Sequence, residues 1–216
     1  MESYIVMRTA GLLATLCFAS AVQAQEADDP APIPGLEMTV FGGYRFGGEL
    51  DLADPDETVE VAEHSTFAVA LSLARDDHSQ YELFYSRQPT RLKHSASIGP
   101  MPLKIEYLQI GGTLLSGWPG PVNPYLAGTA GITRMTPDSP GTDANTDFSI
   151  SLGAGLRLPI VRHLALRLEA RGYMTFVDTN TAFHCASGPN GSACRVLASG
   201  SSMLQFELLA GAAFSF

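Results

Sequence analysis

The stretch LQFELLAGAAFSF, Leu204 to Phe216, decides the fold. Read in steps of two it gives Leu204, Phe206, Leu208, Ala210, Ala212, Phe214 and Phe216 on one parity. The other parity is Gln205, Glu207, Leu209, Gly211, Ala213 and Ser215. One face is wholly apolar and the other small or polar, the period-two signature of a strand between two different environments. A chain end frays unless it is tied into a sheet. The pattern therefore predicts a paired strand running up to the last residue.

Working outward, the N-terminal stretch MESYIVMRTAGLLATLCFASAVQAQEADDP has Arg8, an apolar run from about Ala10 to Ala21 and a small-x-small site at Val22-Gln23-Ala24. This predicts a secretory signal peptide over 1–24. Leu16 before Cys17, where a small residue would be needed, argues against lipidation. After Ala24 no run approaches the ~18 apolar residues of a membrane helix. A membrane protein of this composition must then be a closed barrel, since only helices and barrels satisfy every backbone group in lipid. The formal net charge of −9 argues against a nucleic acid or other polyanion as partner. Export leaves Cys185 and Cys194 in an oxidising compartment.

Alternating segments recur between turn signals, and eight strands are predicted: Leu36 to Phe46, Ser65 to Arg75, Gln80 to Thr90, Leu103 to Leu114, Asn123 to Met135, Asp147 to Pro159, Leu164 to Val177 and Ser202 to Phe216. Their lengths are near the ~9 to 11 residues a tilted strand needs to cross a bilayer. Short connections (DDHS, SGWPGP, IVR) alternate with long ones at roughly Gly47 to His64, Arg91 to Pro102, Thr136 to Thr146 and Asp178 to Gly200. Short periplasmic turns, long extracellular loops and an even strand number belong together in outer-membrane barrels. Residues 25–35, with Pro30, Pro32 and Pro34, read as a short periplasmic leader, and 36–216 as an eight-stranded antiparallel up-and-down transmembrane β-barrel, an all-β fold.

The two faces separate a membrane barrel from a soluble one. Opposite Phe148, Ile150, Leu152, Ala154, Leu156 and Leu158 stand Asp147, Ser149, Ser151, Gly153, Gly155 and Arg157. Small residues with an occasional charge suit the crowded inside of a narrow barrel, not a water-facing wall. Collecting such positions gives Glu37, Glu82, Glu106, Glu169 and Glu207 against Arg45, Lys104, Arg157, Arg167 and Arg171. Acids and bases balance, and they should pair across the lumen because an unpaired buried charge is costly. Tyr44, Phe46, Tyr81, Tyr85, Tyr107, Phe148, Phe176, Phe206, Phe214 and Phe216 are expected on the outward parity as aromatic girdles.

The signal, the eight strands and the terminal Phe resemble the small outer-membrane β-barrels of Gram-negative bacteria, the superfamily of the OmpA transmembrane domain, OmpX and opacity proteins. FGGYRFGGELDL, YELFYSRQPTRL, YLQIGGTLL, PYLAGTAGITR and the FHC…C loop before LQFELLAGAAFSF are similar to uncharacterised proteobacterial outer-membrane β-barrel proteins. The resemblance implies residence in the outer membrane and Leu208, Ala210, Ala212, Phe214 and Phe216 as the signal read by the barrel-assembly machinery. It implies no particular activity.

Three local features remain. Cys185 and Cys194 bracket CASGPNGSAC in the longest loop and are expected to form a disulfide worth ~2 to 3 kcal/mol. A metal site there lacks a fourth ligand beyond the two thiols and His184. The first loop carries Glu49, Asp51, Asp54, Asp56, Glu57, Glu60 and Glu63. Oxygen ligands suit Ca²⁺ or Mg²⁺, but the spacing is not an EF-hand and a solvated acidic loop is the default. Arg87, Arg91, Lys93 and His94 either meet lipopolysaccharide phosphates or simply mark the water interface.

The histidines are scattered, and His64-Ser65 points to opposite faces of a strand, so no nucleophile and base stand together. The expected role is structural or interactive: a monomeric barrel with a plugged lumen, no cofactor and no catalytic residues. It would meet outer-membrane lipid, lipopolysaccharide and an unknown extracellular partner. A narrow or gated porin-like channel is the alternative, and an outer-membrane lipid hydrolase a weaker one.

Overall fold

The computed structural model describes residues 35–51, 58–93, 101–137, 144–177, 182–184, 195–197 and 202–216. The expected signal peptide and all of the leader but Gly35 lie outside these residues. In chain order the strands are β1 (Leu36–Gly47), β2 (Glu49–Asp51), β3 (Thr58–Glu60), β4 (His64–Asp76), β5 (Ser79–Leu92), β6 (Met101–Leu115), β7 (Asn123–Pro137), β8 (Asn145–Val161), β9 (Leu164–Phe176), β10 (Ala182–His184), β11 (Arg195–Leu197) and β12 (Ser202–Ser215).

The eight long strands form one closed barrel in the order β1-β12-β9-β8-β7-β6-β5-β4, every neighbour antiparallel. Closure falls where the terminal alternation placed it. β12 pairs with β1 from Glu37↔Ser215 to Gly47↔Gln205, and the Phe216 N–H donates to the Leu36 carbonyl at 2.9 Å. A closed sheet has no edge, so its ladder leaves no row of backbone groups to be satisfied by solvent.

The strands run longer than the alternation indicated. β5 continues to Leu92, β7 to Pro137 and β8 to Val161. Two short hairpins, β2–β3 and β10–β11, stand within segments read as loops. Their three-residue strands are too short for period two to be recognised. At one end β4–β5, β6–β7 and β8–β9 are joined by short turns, as expected. The Asp76 carboxylate fixes the first by accepting from Ser79 Oγ at 2.5 Å and the His78 N–H at 2.9 Å. This is the turn end of the barrel, and the opposite end is the loop end.

The outer wall is apolar on every strand. Val40, Leu71, Leu83, Ile110, Leu126, Leu152, Leu168 and Leu208, one per strand, are all exposed, Leu152 at 75%. A continuous exposed apolar belt of this extent is a membrane-facing surface. No helix among the described residues is long and apolar enough to cross a membrane.

Inward glycines let the strands approach closely. A Cβ on Gly131 would sit 2.1 Å from the Leu108 carbonyl oxygen, and one on Gly111 2.0 Å from that of Gly128. Both contacts are with backbone, which cannot swing aside as a side chain does.

A packed lumen as the candidate functional site

The lumen is filled from the turn end upward. Glu37, near the start of β1, accepts from Arg157 Nη2 at 2.8 Å and Nε at 3.1 Å and from Ser215 Oγ at 3.1 Å. Alternation on three separate strands brings these side chains to one level.

Above it lies a four-charge cluster. Glu82 of β5 accepts from Arg171 Nη2 at 2.7 Å and Arg167 Nη2 at 3.3 Å. Glu169 sits between the two arginines on β9, 2.5 Å from Arg171 Nε and 3.3 Å from Arg167 Nη2. Its second oxygen also accepts from the Tyr125 hydroxyl at 2.7 Å. Arg167 reaches back to Glu37 at 3.9 Å, which links the two levels. Aromatic faces cover the guanidiniums: Phe84 lies 3.8 Å from Arg171, and Tyr125 and Phe41 lie 4.6 and 5.3 Å from Arg167. Such contacts gain strength when water is excluded.

The third level centres on Arg45 of β1. Its Nη2 donates to Glu207 at 3.0 Å and to Ser86 Oγ at 2.5 Å. Its guanidinium carbon stands 4.7 and 4.9 Å from the ring centres of Tyr107 and Tyr173. The Tyr173 hydroxyl donates to Glu207 and that of Tyr107 to Gln205 at 2.8 Å. Beside this level, a neutral chain of hydroxyls and amides runs from Ser149 through Gln109 and Thr129 to Ser151.

The loop end is sealed by an apolar cap. Val61, Leu92, Leu103, Ile105, Met135, Val177 and Met203 are all buried and pack in one cluster. The chain after β3 holds Val61 there. The Val61 N–H donates to the Gly48 carbonyl at 2.8 Å and the Ala62 N–H to that of Arg91 at 2.9 Å. Two recesses on the described surface lie instead between outward side chains, one lined by Leu114, Leu126 and Leu156, the other by Leu71, Leu83 and Ile110.

Eight of the ten charges expected inside are therefore there and paired: Glu37, Arg45, Glu82, Arg157, Arg167, Glu169, Arg171 and Glu207. Lys104 and Glu106 are corrections, because they lie on the outer parity of β6 with Leu108 and Ile110. Leu103 and Ile105 take the inner positions as part of the cap. Near its loop end β6 is apolar inside and polar outside, the reverse of the rule that holds lower down. Tyr107 is the matching correction among the aromatics: it is fully buried in the lumen. The parity of Gln109 and Thr113 on the same strand carried that signal. Asp147 is a further buried lumenal acid, beside Asn145 Nδ2 at 2.5 Å.

Among the remaining candidates, Leu208, Ala210, Ala212, Phe214 and Phe216 share the outward face of β12 and its end. Arg87 and Arg91 project outward near the loop end of β5. Lys93 is held by Glu60 at 2.8 Å, and that carboxylate raises its pKa. His94, Cys185, Cys194 and the acidic residues Asp54, Asp56 and Glu57 lie outside the described residues. Among the described residues no three His, Cys, Asp or Glu side chains converge as a metal site. The neighbouring His64 Nδ1 and Ser65 Oγ, expected to point apart, meet at 3.2 Å because they stand at the exposed start of β4, where the side chains swing free of the sheet faces.

A closed eight-stranded sheet with an apolar exterior and a polar, packed interior defines a transmembrane β-barrel. Residues 10–190 match the family model described as an outer membrane protein beta-barrel domain, and the chain belongs to that family. No curated protein sequence matches. Among solved structures the barrel is similar to Neisserial surface protein A, with a TM-score of 0.57 at 14% identity over 84% of this chain and 97% of that one. It is also similar to OprG of Pseudomonas aeruginosa, with a TM-score of 0.55 at 11% identity over 85% and 97%. A third is AlkL, determined in lipid bilayers, with a TM-score of 0.53 at 15% identity over 89% and 95%. At these identities the likeness is one of fold.

Proposed function

We propose that this outer-membrane barrel does not conduct solutes and acts through its exterior: the lipid-facing wall and the surface at its loop end. The observation that carries this reading is the continuous occlusion of the lumen, with three charged levels below an apolar cap. An eight-stranded barrel has an interior only just wide enough for its own side chains, and here bulky Arg, Tyr and Phe occupy it. The long connections then face outside the cell and the short turns face the periplasm, as is general for this architecture. Envelope integrity or surface contact follows as the role, with lipopolysaccharide and an extracellular partner as the molecules met. The outward residues from Leu208 to Phe216 serve the assembly machinery, and the barrel works as a monomer.

Proteoliposome swelling tests this reading. Vesicles carrying the refolded barrel should shrink and stay shrunken in small sugars, as protein-free vesicles do. Swelling at a porin-like rate would instead support the channel reading.

A further inference from the structure

The outer wall is not uniform around the barrel, and its loop end divides into two unlike sides. On β1, β4, β8, β9 and β12 the outward residues at this end are aromatic or apolar, with an occasional serine or threonine. Phe46 stacks on Phe206 with ring centres 6.1 Å apart, and Phe148 on Phe176 at 5.9 Å. On β5, β6 and β7 they include Arg87, Arg91, Lys104, Glu106 and Arg134, four cations and one carboxylate, with Pro89, Pro102 and Thr136 between or beyond them.

Register fixes how these residues sit. Arg87 pairs with Glu106 and Glu106 with Arg134, so the three form one row across adjacent strands. At ~4.8 Å between strands the two arginines flank the carboxylate about 10 Å apart. Lys104 stands two residues further toward the loop end and reaches Glu106 at 3.2 Å. The Tyr85 hydroxyl donates to the other oxygen of Glu106 at 2.7 Å. Among the described residues no carboxylate lies within 4 Å of Arg87, Arg91 or Arg134. The row immediately below is Tyr85, Leu108, Ile132 and Phe148, which belongs to the lipid-facing belt.

We propose that this three-strand patch is a binding site for a phosphorylated glycolipid headgroup of the outer leaflet, with Arg87, Arg91 and Arg134 as its phosphate ligands. The site rests on the reading that the loop end lies at the outer surface. Guanidiniums present a fork that matches phosphate oxygens in two-point contact. Arg87 and Arg134 stand two strand residues, about 7 Å, above the last apolar row, which is the depth of a headgroup whose acyl chains lie along Leu108 and Ile132. Arg91 lies four residues further toward the loop end, level with the outer part of such a headgroup. Cations that merely marked the water interface would be spread around the rim; here they occupy three consecutive strands out of eight. Glu106 spaces the arginines and is itself held by Tyr85 and Lys104, so the patch keeps a net positive charge. Lys93, engaged by Glu60, is not part of it.

The test is lipid retention by the refolded barrel in nanodiscs, read by native mass spectrometry, with bisphosphorylated lipid A, its dephosphorylated form, phosphatidylglycerol and inorganic phosphate as probes. Retention of bisphosphorylated lipid A should exceed that of the other three. The variant with Arg87→Gln, Arg91→Gln and Arg134→Gln should lose at least about tenfold in apparent affinity. Its side chains are exposed, and an unchanged heat-modifiable gel shift will show that the barrel still folds. Glu106→Gln should strengthen retention. Equal retention of phosphatidylglycerol, an unchanged triple variant or weaker binding by Glu106→Gln would each overturn the proposal. Conductance is a separate readout, bearing on the closed lumen and not on this site.

Discussion

Replacing Glu82 with alanine removes the carboxylate that the two arginines of β9 share. Arg171, at 2.7 Å, would keep only Glu169; Arg167, at 3.3 Å, would keep Glu169 and the longer contact to Glu37. The cluster passes from neutral to one uncompensated positive charge in a buried site. At an effective dielectric constant of about 20, each lost pair is worth about 4 kcal/mol of Coulomb energy at 4 Å. Relief of the carboxylate's own desolvation offsets part of this, and breaking a buried pair from one side costs about 3 to 5 kcal/mol overall. The double variant Glu82→Met with Arg171→Met removes one charge of each sign and should restore most of that loss. Equilibrium urea unfolding from lipid vesicles measures both, followed by fluorescence of Trp118, the sole tryptophan, in the turn between β6 and β7. A Glu82→Ala barrel within about 1 kcal/mol of the parent, or a double variant as unstable as the single one, would refute the ion-pair account of the lumen.

Gly131→Ala should destabilise the barrel by about 1 to 3 kcal/mol, since its Cβ must displace the β6 backbone; the same urea assay reads it, and a neutral result would contradict the close approach. Mass mapping with a thiol reagent should find Cys185 and Cys194 unreactive until reduction. β10 and β11 pair His184 with Arg195, and the cysteines are the next residues in sequence from that pair. Two free thiols in native protein would end the disulfide proposal. Phe216→Ala should slow assembly by the insertion machinery several-fold while leaving the refolded barrel within about 1 kcal/mol of the parent, because the ring projects outward. Equal loss in both assays would make the ring a stability element instead.

The barrel was legible because two environments meet at every strand. On β8 and β9 apolar and polar residues alternate almost without exception, on β12 the outward parity is wholly apolar from Leu204 onward, and each such residue lies on the face that parity assigns. The lumenal pairs followed from the same rule, since Arg167, Glu169 and Arg171 have no other face to occupy. The rule failed at Lys104 and Glu106 because the environment itself changes along the strand. Beyond the apolar belt the outside is polar and the capped inside apolar, so a single assignment of faces cannot serve all of β6. Arg87 reads from the sequence as a cation near a strand end, whereas its row in the wall does not, because parity assigns Glu106 to the lumen and Arg134 adjoins it only through the register of the β6–β7 pair. Of the aromatic lining of the buried arginines, Tyr107 is assigned to the wrong face for a related reason, since on β6 both parities carry apolar residues.

Single-channel recording from the refolded barrel in a planar bilayer tests the closed lumen most directly. The parent should give no steps, and Arg167→Ala with Arg171→Ala should open brief ones by removing two of the side chains that fill the middle of the barrel. Stable, ohmic steps in the unmodified protein would contradict the account.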